Sequence, residues 1–327
     1  MQAKRILNEP IIANKSFPDL GGNINGPSII EVPEWISNPL AKYYLYFAHH
    51  NGEYIRLAYS DFIEGPWRIY ESGTLQIENS LFFGHIASPD VHIDNENKQI
   101  RMYYHGYESP VFVETPTDQL SDPNYSTGLR QQGTPQLTRV SLSEDGLNFT
   151  PQPEILGNSY FRVFHYEDYY YAIGMPGVLY RSKDGITNFE QGHSLFTPQM
   201  RHCALKLDKN ILTVFYTNAH DCPEQIYFSN IELGHDWSKW KESESRVVLK
   251  PEMEYEGFDM PLVPSARGAI MDKVHQLRDP AYFKTNNKEY LFYCVAGEQG
   301  IACLLYTSPS PRDQRGSGLA AWGWKKK

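Results

Sequence analysis

Five polar segments, each directly ahead of an apolar run, carry the residues best suited to chemistry in this 327-residue chain. They are Asn25-Gly26-Pro27, Ser88-Pro89-Asp90, Tyr160-Phe161-Arg162, Arg201-His202 and Arg278-Asp279-Pro280. Charged groups next to buried strands are retained only where they are paired, hydrated or needed for binding or catalysis. Asp90 and Asp279 are therefore predicted to be catalytic carboxyl groups. His202 and His85 are predicted to assist proton transfer, because imidazole titrates near neutral pH.

The same segments predict a binding surface rich in arginine. Arg162, Arg201 and Arg278 present forked donors, which bind carboxylates through two hydrogen bonds and also satisfy hydroxyl groups. We expect these three side chains and Asn25 to bind substrate.

Polar side chains in other segments of the sequence are further candidates for the site. Glu108 and Glu298 are predicted to bind substrate or to supply a further carboxyl group. Two long polar segments, 110–133 and 254–274, are of the kind that form lids or binding loops in compact domains. The residues expected at the rim of a site are Arg130, Glu256, Asp259, Ser265 and Arg267. The alternative is a disordered surface loop.

Structural explanations stay open for several of these residues. Arg278 should keep Asp279 ionised, which suits a base or nucleophile, but the pair is also explained as a turn cap with an ion partner. Asp90 belongs to an SPD turn and has the same alternative. His202 is alternatively a hydrogen-bonded core histidine. His49-His50 is not expected to be a double metal ligand, since one of the two rings must point away.

Five Tyr-rich apolar runs indicate the elements that position these residues. They are KYYLYFAHH (42–50), QIRMYYHG (99–106), DYYYAIG (168–174), NILTVFYTN (210–218) and EYLFYCVAG (289–297). Each has the length of a strand, and each is preceded and followed by another short apolar run. This repeat predicts an all-β, five-bladed β-propeller whose first strands line a central funnel. A β-sandwich with irregular loops is the alternative.

The two ends of the chain have separate expectations. RILNEPII, at Arg5 to Ile12, belongs to no blade. It is predicted to close the ring as the outermost strand of the last blade, so that no edge stays open. The propeller is expected to span residues 1–305. Residues 306–327 are dense in turn formers and are expected to form a disordered, non-native-looking tail.

Charge and composition argue against several functions. The chain has 30 Lys and Arg against 39 Asp and Glu, a net charge of −9, so we expect no nucleic-acid partner. It lacks the apolar stretches of a signal peptide or a bilayer span, so we expect no membrane partner and a cytoplasmic location. The four cysteines show neither metal-ligand spacing nor a disulfide framework. We expect no required cofactor and no metal site.

Three motifs and the blade pattern resemble a known family. PDVHID (Pro89 to Asp94), EGPW (Glu64 to Trp67) and RDPAYF (Arg278 to Phe283) resemble the five-bladed propeller glycoside hydrolases of family 43 and relatives such as family 117. The resemblance implies a protein that binds an oligosaccharide or glycoside in the funnel. It matches Asp90 to the second-blade aspartate that orients the general acid, and it leaves room for one cation or water on the axis near His202.

The chain departs from that family at two catalytic positions. Gly26 stands where the family has a first-blade aspartate as general base, and Tyr160-Phe161-Arg162 stands where it has a third-blade glutamate as general acid. We therefore expect a glycosidase for a small or acidic oligosaccharide that relies on Asp90 and Asp279. The alternative is a non-catalytic sugar-binding propeller that kept the fold and lost the acid and base.

Overall fold

Short apolar runs bounded by turn-forming residues form antiparallel strands in this protein. The structure is a computed structural model, and it describes residues 2–50, 52–109 and 136–307. Strands and short 3-10 helices are the regular elements of those ranges. The 3-10 helices are Pro18–Leu20, Ile77–Asn79, Trp237–Lys239 and Glu254–Glu256. Two short strands open the chain: β1 (Gln2–Arg5) and β2 (Ile12–Ala13).

The remaining strands form five separate sheets, which confirms the predicted five-bladed β-propeller. Blade one is β3 (Asn25–Glu31), β4 (Tyr43–Ala48), β5 (Tyr54–Ser60) and β6 (Arg68–Gln76). Blade two is β7 (Phe83–Asp94), β8 (Gln99–Tyr107), β9 (Gln136–Ser143), β10 (Thr150–Pro151) and β11 (Gly157–Asn158). Blade three is β12 (Arg162–Tyr166), β13 (Tyr169–Gly174), β14 (Val178–Ser182) and β15 (Glu190–Ser194). Blade four is β16 (Met200–Asp208), β17 (Ile211–Asn218), β18 (Ile226–Glu232) and β19 (Arg246–Leu249). Blade five is β20 (Arg278–Thr285), β21 (Lys288–Val295) and β22 (Gly300–Thr307).

The N-terminal strands close the ring on blade five, as predicted, but the pairing residues flank the expected run. β1 pairs with β22 through Ala3 and Tyr306, and β2 pairs through Ile12 and Ile301. Residues 7–10 leave the ladder, where Pro10 has no N–H to donate.

The end of β22 lies beyond the expected domain boundary at residue 305. The strand continues to Thr307, and Tyr306 is buried in the core between blades four and five. The first two residues of the predicted tail therefore belong to the propeller. The rest of that prediction falls on residues 308–327, which lie outside the described residues.

An apolar core fills the space between each pair of neighbouring blades. Strand β4 shows how the sequence produces this arrangement. Tyr43, Leu45 and Phe47 pack toward blade five, while Tyr44 and Tyr46 pack toward blade two. Since strand side chains alternate between faces, a middle strand buried on both sides must be apolar throughout. This explains the continuous Tyr-rich runs.

One residue within or just before each inner strand lies in the left-handed backbone region. The five residues are Gly26 (φ 60°), Ser88 (φ 51°), Tyr160 (φ 60°), His202 (φ 48°) and Asp279 (φ 47°). In β3, β7, β16 and β20 the ladder register shifts at this point, as in a β-bulge. Neighbouring inner strands of these four contact one another, so the four bulges meet at one mouth of the funnel.

Candidate functional site

Residues at these left-handed positions build one pocket. Ser88, Tyr160, His202 and Asp279 all line it, and we call it the funnel pocket. It encloses about 520 Å³, including the part open to solvent. Its other lining residues are Asn25, His50, Ala87, His105, Gln136, Met175, Arg201, Arg267, Gly268 and Glu298.

Asp279 is the carboxyl group with a free oxygen in this pocket. Its Oδ1 accepts a hydrogen bond from the Tyr160 hydroxyl and lies 3.5 Å from His202 Nδ1. Its Oδ2 is buried without a hydrogen-bond partner among the described residues. Burial raises the pKa of the Asp279 carboxyl, and the charge of Glu298 raises it further, although two nearby arginines and the Tyr160 bond oppose the shift. The carboxyl group is therefore suited to hold a proton and donate it.

Glu298 is surrounded by donors. Arg278 Nη1 lies 3.0 Å from Oε1, and the amides of Asn23 and Asn25 lie 2.5 and 3.3 Å from Oε2. His50 Nδ1 also lies 3.3 Å from Oε2. Burial alone would raise the pKa of Glu298, but attraction to His50 and Arg278 and the hydrogen bonds outweigh burial and lower it. Glu298 is therefore an ionised carboxylate.

The pKa values of these two buried carboxyl groups are thus moved in opposite directions, Asp279 upward and Glu298 downward. Opposite shifts in one pocket are the usual signature of an acid and an ionised partner with separate roles. This differs from the expectation that Arg278 keeps Asp279 ionised. Arg278 instead pairs with Glu298 at 3.0 Å and with Glu224 at 3.3 Å.

His202 lies next to Asp279 in a fixed orientation. Arg201 Nε donates to His202 Nε2 at 3.0 Å, so the proton of the neutral ring is on Nδ1, which faces Asp279. Burial lowers the pKa of His202 well below its ordinary value, and the charges of the neighbouring arginines lower it further. These contacts favour a neutral ring, and the assignment of His202 to proton transfer stays a prediction.

His50 is a residue of the pocket that sequence reasoning did not assign. It is the second residue after strand β4, and its Nδ1 contacts Glu298. Asn25, which was predicted to bind substrate, lies beside it with Nδ2 3.4 Å from the same ring nitrogen. Asn25 Oδ1 is buried and has no hydrogen-bond partner among the described residues. The adjacent histidines His49-His50 could have indicated a site residue, but sequence reasoning considered them only as metal ligands.

Two of the arginines predicted to bind substrate, Arg201 and Arg278, direct most of their donors to protein groups. Arg201 bonds His202 and the Ala266 carbonyl at 2.8 Å. Arg278 bonds Glu298 and the carbonyl of Gly268, at 3.0 and 3.2 Å. These two side chains therefore hold the segment that crosses the mouth of the funnel.

The structure does not bring Asp90 into the funnel pocket. Asp90 lines a second cavity on the axis with His92 and Arg162. Its Oδ2 lies 2.7 Å from His92 Nε2 and accepts from the Val163 N–H at 2.8 Å. Burial acts to raise the pKa of Asp90, but His92, Arg162 and the backbone bond together lower it. Asp90 and Asp279 thus occupy different cavities.

Arg162 lies on the far side of the pocket wall. Its Nη1 donates to the Ser88 carbonyl at 3.1 Å and its Nε to the Cys203 carbonyl at 3.0 Å, which ties three blades together. The guanidinium stacks 4.4 Å from the ring centre of Tyr160. These contacts indicate a structural role for a residue predicted to bind substrate.

Three further predicted residues lie off the pocket or outside the described residues. His85 is buried behind the pocket, where burial and the charge of His50 lower its pKa to about 3. Glu108 is half-exposed and lies 3.7 Å from Arg139. Arg130 lies outside the described residues.

The predicted rim residues divide into different roles. Arg267 lines the funnel pocket. Ser265 is buried and bonds the backbone of His220 at 3.0 Å. Asp259 pairs with Lys273 at 2.8 Å on the surface. Glu256 is fully buried away from the pocket lining.

Comparisons place this architecture among known proteins. The uncharacterized protein R118 of Acanthamoeba polyphaga mimivirus is 32% identical over 314 residues, which cover 86% of this chain and 82% of the viral protein. The chain belongs to the family of that protein. No family model matches the sequence.

Solved structures show the same fold at low identity. The GH43 β-xylosidase/α-arabinofuranosidase from a compost microbial metagenome has a TM-score of 0.57 and 12% identity, covering 94% of this chain and 96% of the enzyme. The exo-β-1,3-galactanase of Phanerochaete chrysosporium has a TM-score of 0.55 and 9% identity over 86% of this chain, which spans 60% of the galactanase. The fold is thus that of the five-bladed propeller glycosidases.

The structure explains one departure from the family 43 pattern. A Cβ atom on Gly26 would lie 2.8 Å from the Ser88 Cα atom, so the first-blade bulge has no room for a side chain. The left-handed position of blade five carries the aspartate, Asp279, which is followed by a proline as in the family's first blade.

Glu224 is a second residue that sequence reasoning missed. It is fully buried next to the pocket, accepts from the Thr217 hydroxyl at 2.7 Å and lies 3.3 Å from Arg278. It follows the cis bond before Pro223 in a loop with no strand pattern, so no periodic signal marked it. Its contacts place it as a support for Arg278.

The described residues show no metal site and no membrane span. Across 2–50, 52–109 and 136–307, no group of three or more His, Cys, Asp or Glu side chains is arranged to hold a metal ion. His202 does not fit an axial cation, because Arg201 occupies Nε2 and the ring proton occupies Nδ1. Over the same ranges, no helix has the length and apolar character needed to cross a bilayer.

Proposed function

We propose that this protein is a glycoside hydrolase that binds a small glycoside in the funnel pocket. In this proposal, Asp279 protonates the leaving oxygen. The observation that carries the proposal is the Asp279 carboxyl itself. The residue lines the funnel pocket, burial and Glu298 raise its pKa, and its Oδ2 is a buried atom without a hydrogen-bond partner among the described residues.

The polar groups of the pocket support a sugar as the ligand. Asp279 Oδ2 and Asn25 Oδ1 are both buried atoms with no hydrogen-bond partner among the described residues. A buried polar atom without a partner costs free energy, which a ligand rich in hydroxyl groups would recover. Proteins of the same fold include a xylosidase/arabinofuranosidase and a galactanase.

The charge of the pocket favours a neutral sugar over an acidic one. Arg201 and Arg278 already donate hydrogen bonds to protein groups. Neither guanidinium therefore presents a free pair of N–H groups to a substrate carboxylate. A neutral glycoside needs only the hydroxyl-binding groups that the pocket presents.

The test compares two leaving groups. Purified protein is assayed on 4-nitrophenyl glycosides of xylose, arabinofuranose, galactose and glucose, and on the matching disaccharides. A nitrophenolate leaves without protonation and a sugar alkoxide does not. Asp279→Asn should therefore lower kcat on a disaccharide by roughly 10²–10⁴-fold and on the nitrophenyl glycoside much less. Asp208→Asn, at the opposite end of inner strand β16, is the control and should match wild type. Equal losses on both substrates would contradict the acid role.

A non-catalytic sugar-binding propeller is the second candidate. One observation favours it: the other carboxylate of the pocket, Glu298, already has donors on both oxygens. Isothermal titration with the same disaccharides distinguishes the two. Binding without turnover of any substrate supports the second candidate.

A further inference from the structure

We propose that His50, held by Glu298, is the general base that activates water in the funnel pocket. This inference rests on the proposed function. It supplies the general base that complements Asp279 as the general acid. It assigns a catalytic histidine to the second position after strand β4.

The geometry of the pair is that of a carboxylate that orients an imidazole. Glu298 Oε2 lies 3.3 Å from His50 Nδ1. Such a contact keeps the proton on Nδ1 and leaves the lone pair on Nε2, and it stabilises the imidazolium when that nitrogen accepts a proton.

Asn23 fixes both members of the pair. Its Nδ2 donates to Glu298 Oε2 at 2.5 Å, and its Oδ1 accepts from the His50 backbone N–H at 2.7 Å. Asn23 is itself fully buried. The base is therefore held on a rigid support, as proton transfer requires.

The described residues leave Nε2 of His50 without a hydrogen-bond partner. The ring lines the funnel pocket, its side chain is 24% exposed, and its hydrogen-bonding contacts with described residues use Nδ1. The other pocket histidines are more deeply buried. His202 gives Nε2 to Arg201, and His105 has Nδ1 accepting from the Tyr160 N–H at 3.3 Å. His50 is thus the pocket histidine with a partly exposed ring.

The reaction step balances with these two groups. Water loses a proton to His50 Nε2 while its oxygen forms a bond to the anomeric carbon. The bond from that carbon to the leaving oxygen breaks, and the leaving oxygen takes the proton of Asp279. Proton transfer through solvent then restores both groups. A single displacement by water inverts the anomeric centre.

The test uses full-length protein and the 4-nitrophenyl glycoside of the panel that is turned over fastest. His50→Ala should lower kcat by roughly 10²–10⁴-fold, by the same factor on the nitrophenyl glycoside and on the disaccharide, because water activation does not depend on the leaving group. KM should change little, and added imidazole should restore part of the rate. His49→Ala, the adjacent histidine outside the pocket lining, is the matched control and should retain wild-type kcat.

Glu298→Gln gives an independent measurement. It keeps the shape of the side chain but removes the charge that stabilises the imidazolium, so kcat should fall on both substrates while the circular dichroism spectrum stays unchanged. Proton NMR of the first product should show inverted configuration.

The outcomes separate this inference from the proposed function. If Asp279→Asn behaves as an acid variant while His50→Ala retains wild-type kcat, or if the product retains its configuration, the base assignment is wrong and the glycosidase proposal stands. If wild type turns over no substrate of the panel, both fail. Loss in His50→Ala without imidazole rescue, combined with unchanged kcat in Glu298→Gln, also overturns the pair.

Discussion

Asp279 has a conformation and an environment that cost folding free energy, and it lies in the pocket where we propose that catalysis occurs. The carboxyl group is almost fully buried, has a left-handed backbone, and leaves one oxygen without a partner in the described part of the chain. Each of these features costs folding free energy. Such residues concentrate at functional sites, because selection for activity maintains them against their cost.

Removing the charge of Asp279 should therefore stabilise the protein. Asparagine keeps the shape and can still accept the Tyr160 hydrogen bond. At neutral pH we expect Asp279→Asn to raise the free energy of unfolding by about 1 kcal/mol, the usual size of a stabilising substitution.

The pH dependence of that difference follows from the raised pKa of Asp279. Protonation stabilises the folded wild type fully below the unfolded pKa, and this contribution is lost as pH rises through the folded pKa. The difference in the free energy of unfolding between Asp279→Asn and wild type should therefore become smaller as the pH is lowered. Urea denaturation from neutral to acidic pH measures it, and a variant less stable than wild type at neutral pH would indicate that Asp279 is a structural ion partner.

At the scale of elements, the strands were predictable and the cavity assignments were not. The Tyr-rich runs predicted all five blades because a strand buried on both faces has to be apolar throughout. The same pattern does not reveal bulges. One extra residue in β7 sends Ser88 to the funnel pocket and leaves Asp90, two residues on, in the second cavity. A sequence pattern of period two carries no information on such shifts.

Contacts between distant segments account for the rest of the site. Glu298 acquires its role from Asn23 and His50, which are 275 and 248 positions away in the sequence. Similarly, the donors of Arg201 and Arg278 are taken by the carbonyls of 266 and 268. No local motif marks these partners, so the arginines were assigned to substrate.

The bulge of β3 predicts a specific sensitivity at Gly26. Its φ of 60° and the 2.8 Å approach of a built Cβ atom to Ser88 Cα both exclude a side chain. Gly26→Ala should destabilise the protein by roughly 1–3 kcal/mol. Gly22→Ala is the control, because no atom lies within 4 Å of a Cβ atom there. Thermal unfolding compares the two, and equal melting temperatures would refute the steric argument.

For the whole molecule, the closure between the first and last strands is the critical junction. A propeller whose ring opens exposes the edge of β22, which is a template for aggregation. Besides the β1–β22 ladder, Arg5 secures the junction through ion pairs with Glu252 and Glu256. Arg5 binds Glu256 through two hydrogen bonds of 2.7 and 2.8 Å, and Glu256 is fully buried.

Breaking these ion pairs should destabilise the entire ring. Arg5→Ala leaves the carboxylate of Glu256 buried without its cation, at a cost of about 3 kcal/mol. Lys15→Ala is the control, since its 3.8 Å pair with Glu9 is exposed on both sides and should contribute little. Urea denaturation followed by tryptophan fluorescence measures both. A loss below about 1 kcal/mol in Arg5→Ala would show that strand pairing alone holds the junction.

The left-handed residue within or just before each inner strand bears on how activity changes during evolution. The five positions share a backbone conformation, and the four that have room for a side chain carry serine, tyrosine, histidine and aspartate. Since that conformation is kept across such different side chains, an acid can stand in one blade or in another while the backbone of the blades stays the same. The loss of a carboxylate from its customary blade is therefore weak evidence that a propeller has become inactive.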